Sequence, residues 1–136
     1  MTKTAIFAAG CFWGIEEKFL STDGVIETEV GYIGGKTPSP SYQDVCEGNT
    51  NHAEAVRVHY NEEEITYDNL LDIFFDIHDP TQLNRQGLDF GTQYRSSIFV
   101  LDEFQKMSAQ NKINTLNKHK YNGCIVTAIE EAKEFW

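Results

Sequence analysis

Two alternating segments follow each other along the chain with no helical pattern between them, and this pair limits the possible folds more than any other feature. They span 25–33 (VIETEVGYI) and 54–60 (EAVRVHY). In the first segment, four residues share one predicted face and two glutamates share the other: Ile26, Thr28, Val30 and Tyr32 against Glu27 and Glu29. Parallel neighbours need a long crossover, usually a helix, so a doubly wound parallel sheet is disfavoured.

The remaining segments complete the order β-α-β-β-α-β-α-β. The apolar run 5–9 (AIFAA) predicts a buried strand, and the spacing of Phe12, Ile15 and Phe19 predicts a helix after it. The later predicted elements are a helix capped by Thr66 and reaching His78, a strand at 97–101, a helix capped by Asp102 and reaching about Lys120, and a strand at 124–129. This order predicts an α+β fold, a two-layer sandwich of a mixed or antiparallel sheet and helices with a ferredoxin-like plait core.

Length and charge restrict the class of protein. The 136 residues, 40% of them hydrophobic, suit a single globular domain over 1–136, for which we expect a monomer. No stretch approaches the ~20 apolar residues of a membrane span. The net charge of −10 argues against nucleic acid and anionic membranes as partners. Two connections, 34–52 and 79–95, are long for a compact domain and are expected to be active-site loops.

The cysteine content indicates the cellular environment. Cys11, Cys46 and Cys124 are an odd number with no CxxC spacing. This favours free thiols in a reducing compartment, such as the cytoplasm, over a disulfide framework. Cys46, His52 and His59 do not match the spacing of a metal site, so we expect no metal ion.

Cys11 lies in the pentapeptide 10–14 (GCFWG), between the first predicted strand and helix. At a helix start, free backbone N–H groups and the helix dipole favour an anion, and a thiol there loses its proton more easily. The alternative is that Cys11 is one more small buried apolar side chain. Trp13 likewise either caps the edge of the core or forms the wall of a pocket beside the sulfur.

Glu54 interrupts an apolar face. Alternation places it in line with Val56 and Val58 on the inward side of its strand, while Arg57 and His59 point the other way. Such a carboxyl is either salt-bridged, at the frayed end of the strand, or held in a poorly hydrated pocket. In the last case desolvation raises its pKa and keeps it protonated, able to act as a general acid beside a nucleophilic thiol.

Four motifs together resemble one known family, the A-type peptide methionine sulfoxide reductases. They are GCFWG, then GYIGG at 31–35, Tyr42 ahead of HAEAV at 52–56, and GLDFGTQYRS at 87–96. The resemblance covers essentially the whole chain in the order of the family. It implies reduction of the S epimer of methionine sulfoxide, free or in oxidised proteins, with no metal or organic cofactor.

The resemblance also implies roles for individual residues. Cys11 is the nucleophile that attacks the sulfoxide sulfur and is left as a sulfenic acid. The other implied roles are Glu54 as the acid for the sulfoxide oxygen, Tyr42 and Tyr94 as hydrogen-bond donors to that oxygen, Asp89 as support for the polar side, and Phe12 and Trp13 as the pocket for the substrate methyl group.

Regeneration of Cys11 is where this chain departs from many members of that family. They continue past the equivalent of Trp136 with a tail that often carries resolving cysteines, so this chain is either truncated or works without the tail. We therefore expect an external thiol such as thioredoxin, glutaredoxin or glutathione, with Cys46 as the candidate for an internal resolving thiol. Cys124 is expected to be buried and structural.

Two further departures affect the loop and the last strand. Asn51 stands where a glycine is common, and Ala128 replaces a frequent glutamate, which removes any polar contact made there.

Two other functions remain open. A thiol peroxidase would also need an activated cysteine, but not the aromatic pocket, and a non-enzymatic α+β binding module would need neither.

Overall fold

A computed structural model describes residues 2–10, 12–35, 52–87, 89–132 and 135. Its elements agree with the predicted order and add a short hairpin to the second long connection. They are β1 (Thr2–Ala9), α1 (Phe12–Leu20), β2 (Val25–Ile33), β3 (Ala53–Asn61), α2 (Tyr67–Asp76), β4 (Arg85–Gln86), β5 (Asp89–Phe90), a 3-10 turn (Thr92–Tyr94), β6 (Ser96–Val100), α3 (Glu103–Leu116), a π-helical turn (Asn117–Tyr121) and β7 (Ala128–Glu131).

The main sheet has the strand order β2-β3-β1-β6-β7. Its first three pairings are antiparallel, and that of β2 with β3 is the one that the missing crossover between the two alternating segments predicts. The fourth pairing, β6 with β7, is parallel, and α3 supplies the helical crossover. The α+β prediction of a mixed sheet with a plait core is therefore confirmed.

The two faces of the sheet are covered differently. The front face, which carries Val56 and Val58, lies under α1, α2 and α3, and Phe7 stacks there on Phe19 and Phe74 at ring-centroid distances of 5.3 and 5.2 Å. The back face is a smaller apolar cluster of Ile6, Ala8, Ile33, Ala53, Ala55 and Phe99, covered by Ala132 and Phe135. Each fully buried phenylalanine contributes roughly 1.5–3 kcal/mol through its removal from water, so the front face holds the principal core.

Two strand predictions were wrong in detail. Ile26 is 58% exposed because the register shifts between Val25 and Glu27, a β-bulge that brings Val25 into contact with the core instead. The last strand begins at Ala128 rather than at residue 124. The preceding segment contacts the second long connection, where Val126 N–H donates to Pro80 O at 2.8 Å.

The prediction for Cys124 was also wrong, because this thiol is exposed rather than buried. It follows Asn122 and Gly123, whose φ angles of 51° and 80° turn the chain away from the π-helical turn. Within the described ranges, no helix is both long and apolar enough to cross a membrane.

Candidate active site

The candidate site begins where β1 ends and α1 starts. Gly10 has φ +103°, and a Cβ built on it would come within 2.9 Å of the Gln86 side chain, so both the turn and the close approach require glycine. Cys11 is outside the described residues, and its neighbours in the sequence are Gly10 and Phe12, the first residue of α1. The chain therefore has the predicted order of strand, cysteine and helix, and the position of the Cys11 thiol stays a prediction.

Glu54 is buried at the same end of the sheet. The β1–β3 register pairs Phe7 with Val56, and continuing it by two residues on each strand brings Glu54 level with Ala9, the last residue of β1. The side chain is 1% exposed and shares the front face with Val56. Because α1 packs against β3 on that face, the carboxyl lies in the layer between the sheet and the helix that follows Cys11. The predicted inward orientation of Glu54 is confirmed.

Two buried neighbours of Glu54 were not identified as site residues from the sequence. Tyr32 on β2 is its register partner and is 9% exposed. His52 is 2% exposed, and its Nδ1 accepts a hydrogen bond from Gly35 N–H at 3.1 Å, which ties the start of β3 to the end of β2. Alternation along β2 was the sequence signal for Tyr32. It did not predict the register that sets Tyr32 opposite Glu54, because this register depends on the connection between the strands.

The second long connection packs directly against the turn at Gly10. The Gln86 side chain accepts from Asp79 N–H at 2.8 Å and donates to Asp79 O at 2.9 Å, which closes this loop on itself. In the β4–β5 hairpin, Gln86 pairs with Asp89. The backbone of Asp89 therefore lies across from the residue that packs on Gly10, at the end of the sheet where β1 ends.

Tyr94 reaches this region from the 3-10 turn that precedes β6. Ser96 is the register partner of Ala9, and Tyr94 lies two residues before it, at the end of the sheet where the chain leaves β1. The 3-10 turn also packs against β3, the strand that carries Glu54. Trp13, in the first turn of α1, is 61% exposed, so its indole presents apolar surface to solvent.

The described part of the chain thus places four predicted site residues at one end of the sheet: Trp13, Glu54, Asp89 (as backbone) and Tyr94. Phe12 is described as the backbone start of α1 only. The predictions for Tyr42 and Cys46, like that for Cys11, fall on residues that the structure does not describe. No group of three His, Cys, Asp or Glu side chains suited to a metal occurs among the described residues. The described groups suit proton transfer and hydrogen bonding.

An ion pair fixes the strand end next to Tyr94. Arg95 Nε lies 3.2 Å from Glu130 Oε2, and Ser97 Oγ donates to the same oxygen at 2.6 Å. Arg95 Nη2 also donates to Gly34 O at 3.5 Å. Glu130, two residues after Ala128 on β7, thus makes polar contacts that the sequence pattern did not single out.

A second polar chain holds the start of the second long connection. One ring nitrogen of His78, Nδ1, lies 2.6 Å from Phe74 O, and the other, Nε2, lies 2.7 Å from Ser96 Oγ, which is itself 2.7 Å from Thr127 Oγ1. Burial lowers the pKa of His78 to about 4, so the ring is neutral at pH 7. This neutral histidine joins α2, β6 and the segment before β7.

Comparisons with known proteins agree with this geometry. A family model described as "Peptide methionine sulfoxide reductase" matches residues 3–136. Peptide methionine sulfoxide reductase MsrA from Nautilia profundicola is 52% identical over 132 residues, which cover 97% of this chain and 75% of that protein. The reduced form of Mxr1 from Saccharomyces cerevisiae has a TM-score of 0.91 and 41% identity, covering 98% of this chain and 78% of that one.

Another solved structure shows a relative together with a partner. Mxr1 from Saccharomyces cerevisiae in complex with Trx2 has a TM-score of 0.73 and 30% identity to this chain. The comparison covers 99% of this chain and 79% of that one.

Proposed function

The chain belongs to the peptide methionine sulfoxide reductase family, and from that premise we propose which residues carry out the thiol-dependent reduction of methionine sulfoxide. In the proposed reaction the Cys11 thiolate attacks the sulfur of the S epimer. The sulfoxide oxygen takes up two protons and leaves as water from the S–S intermediate. A water molecule then attacks the Cys11 sulfur, displaces methionine and releases a proton, and Cys11 is left as a sulfenic acid. The sulfoxide sulfur gains two electrons and the Cys11 sulfur loses two, so no other redox group is needed for this step.

The burial of Glu54 is the observation that carries this assignment. Only 1% of the residue is exposed, on an apolar face, and burial of this kind penalises the charged form of a carboxyl. A sulfoxide oxygen becomes a better leaving group once it is protonated. The Glu54 carboxyl lies level with Ala9, the last residue of the strand that precedes Cys11, and we assign it the role of general acid.

The phenol of Tyr94 acts beside this acid. Its turn packs against β3, so it approaches the same sheet end from the side of β6. A hydrogen bond from Tyr94, and one from Tyr42, polarises the S–O bond where negative charge develops on oxygen. Asp89, opposite Gln86 in the hairpin, supports the polar side of the site.

The apolar side of the site is formed by the first turn of α1. Trp13 keeps 61% of its surface exposed although it is large and apolar. In the proposed complex, Trp13 and Phe12 cover the substrate methyl group and exclude water from the sulfur, which strengthens the hydrogen bonds to the oxygen.

External thiols complete the cycle, either both from one dithiol or from two monothiol molecules. A first thiol condenses with the sulfenic acid and releases water, and a second thiol breaks the mixed disulfide, which restores Cys11 and leaves the reductant as a disulfide. The solved complex of Mxr1 with Trx2 supports a thioredoxin in this role, with glutaredoxin or glutathione as the other candidates. Regeneration by reduced thiols suits the cytoplasm, and one copy of the chain suffices, because every site residue assigned above belongs to it.

The decisive assay uses dithiothreitol as reductant and the separate S and R epimers of N-acetyl-methionine sulfoxide. We expect reduction of the S epimer alone and its complete loss in Cys11→Ser. Cys124→Ser serves as the matched control, because this exposed thiol has no assigned role, and it should keep the full rate. Activity on the R epimer alone, rapid consumption of peroxide without sulfoxide reduction, or an active Cys11→Ser protein would each overturn the proposal.

A further inference from the structure

The outer side of α1 carries an apolar stripe that the core does not use. With 3.6 residues per turn, Trp13 and Leu20 lie within about 20° of each other around the helix axis. Ile15 and Phe19, the buried positions of α1, lie on the opposite side. Trp13 and Leu20 are 61% and 53% exposed. Two large apolar side chains therefore lie in line on the exposed side of this nine-residue helix, which begins directly after Cys11 in the sequence.

An acidic residue lies between these two apolar side chains. Glu17 is exposed and about 40° from Trp13 around the axis. Its neighbour Glu16 accepts a hydrogen bond from the Thr28 hydroxyl at 2.8 Å and so connects α1 to β2. Glu17 is therefore the carboxylate that faces solvent between the apolar ends. We call Trp13, Glu17 and Leu20 the α1 stripe.

We propose that the α1 stripe binds the polypeptide on one side of a methionine sulfoxide and so sets a preference among protein substrates. This inference rests on the proposed function, because Trp13 at one end of the stripe also covers the substrate methyl group. The occupant is an extended peptide segment with an apolar residue three positions from the methionine sulfoxide and a lysine or arginine between them.

The spacing of the stripe fits that segment. Seven residues of helix place Leu20 roughly 10 Å along the axis from Trp13, and three residues of extended chain cover roughly the same distance. A side chain three positions from the methionine sulfoxide therefore reaches Leu20 when the methyl group lies at Trp13. A basic residue between them then lies beside Glu17.

Charge selects a basic peptide over a second copy of this chain. The net charge is −10, so two copies repel each other, whereas a lysine- or arginine-containing segment is attracted both by the whole molecule and by Glu17. The stripe is also continuous with the site of a family that is described as reducing peptide methionine sulfoxide.

The test compares kcat/KM for three substrates with dithiothreitol as reductant. These are N-acetyl-methionine S-sulfoxide, a glycine-rich peptide containing the S-sulfoxide, and the same peptide with leucine three positions away and lysine between, made in both directions. We expect one direction of the leucine–lysine peptide to be preferred. Leu20→Ala should lower its kcat/KM about five- to tenfold, mainly through KM, and leave N-acetyl-methionine sulfoxide unchanged.

Leu101→Ala is the matched control. Leu101 is 48% exposed, but it follows β6 at the end of the sheet opposite to Ala9 and the candidate site. It should change none of the rates. Glu17→Gln should lower kcat/KM about threefold for the lysine peptide alone, and only at low ionic strength. Equal rates for all peptides, or an equal loss in Leu20→Ala and Leu101→Ala, would overturn the α1 stripe.

The two proposals fail in different ways. If N-acetyl-methionine sulfoxide is reduced but the peptides are not distinguished, only the α1 stripe is wrong. If no substrate is reduced by folded protein, the proposed function is wrong. Binding of the same peptides to Cys11→Ser, measured by calorimetry, then still decides whether Leu20 contributes. A complex containing two copies of the chain, detected by ultracentrifugation, would assign the stripe to self-association instead.

Discussion

Two glutamates on the same pair of strands have opposite surroundings. Glu29 on β2 faces Arg57 on β3 across the back of the sheet, and Glu54 on β3 faces Tyr32 on β2 across the front. Arg57 donates to both carboxylate oxygens of Glu29 at 2.9 Å, and His59 Nε2 lies 2.7 Å from one of them. The two faces of one strand pair therefore give the same residue type different surroundings, cationic partners for Glu29 and an apolar buried position for Glu54.

The electrostatics of Glu29 follow from these partners. The hydrogen bonds from Arg57 and then His59 lower the pKa of Glu29 to about 2, so it is ionised throughout the neutral range. The ring of Phe135 lies 4.4 Å from the Arg57 guanidinium, which adds a cation–π contact to this cluster. Glu29 is thus a structural anion, whereas Glu54, buried on the apolar front face, is the carboxyl that we propose as the proton donor.

The largest expected effect is on the catalytic rate, and it distinguishes Glu54 from Glu29. Glu54→Gln removes the proposed proton donor while keeping the size of the side chain, and we expect kcat with the S-sulfoxide to fall roughly 10²–10⁴-fold, the usual range for a general acid. Glu29→Gln, its matched control on the same strand pair, should stay within threefold of the parent. Steady-state kinetics with dithiothreitol measures both, and a Glu54→Gln protein within threefold of the parent would assign the acid to another group.

A smaller effect separates buried neutral groups from ion-paired ones by pH. Burial lowers the pKa of His78 from 6.5 to about 4. The unfolded chain therefore binds more protons as pH falls from about 6.5 towards 4, and the free energy of unfolding should drop by about 1–2 kcal/mol there, with allowance for partial exposure. Glu29, with its lowered pKa, contributes about 1 kcal/mol to the free energy of unfolding. This contribution is lost in a lower pH range, as pH falls from 4.5 towards 2.

Urea unfolding at closely spaced pH values resolves these two ranges. His78→Gln should flatten the upper range only, and Glu29→Gln the lower range only. If both variants changed the free energy of unfolding in the same pH range, or if neither variant changed its pH dependence, the assignment of His78 as a buried neutral group and of Glu29 as an ion-paired carboxylate would be wrong.

Local patterns were enough to predict the features that depend on near neighbours. Thr66 caps α2 by accepting from Asn69 N–H at 3.1 Å, and Asp102 caps α3 by accepting from Gln105 N–H at 2.8 Å, as the sequence predicts. The inward face of β3, with Glu54, follows from alternation within that one strand.

Features that depend on distant segments were not predictable in this way. The bulge that exposes Ile26 is set by the register with β3. The ion pair of Arg95 with Glu130 joins residues 35 positions apart, and the contact of Gln86 with Gly10 depends on a hairpin within the second connection. Alternation gives the face of a strand but neither its register nor the packing of loops, so these partners were missed.

The protonation state of Glu54 with substrate bound tests the central claim most directly. Cys11→Ser protein should bind methionine S-sulfoxide without reducing it, and infrared difference spectra at neutral pH compare it with the same protein carrying Glu54→Gln. We predict a carbonyl band of a protonated carboxyl that only Glu54→Gln removes. Carboxylate bands alone, with no protonated carboxyl assigned to Glu54, would contradict its role as the proton donor.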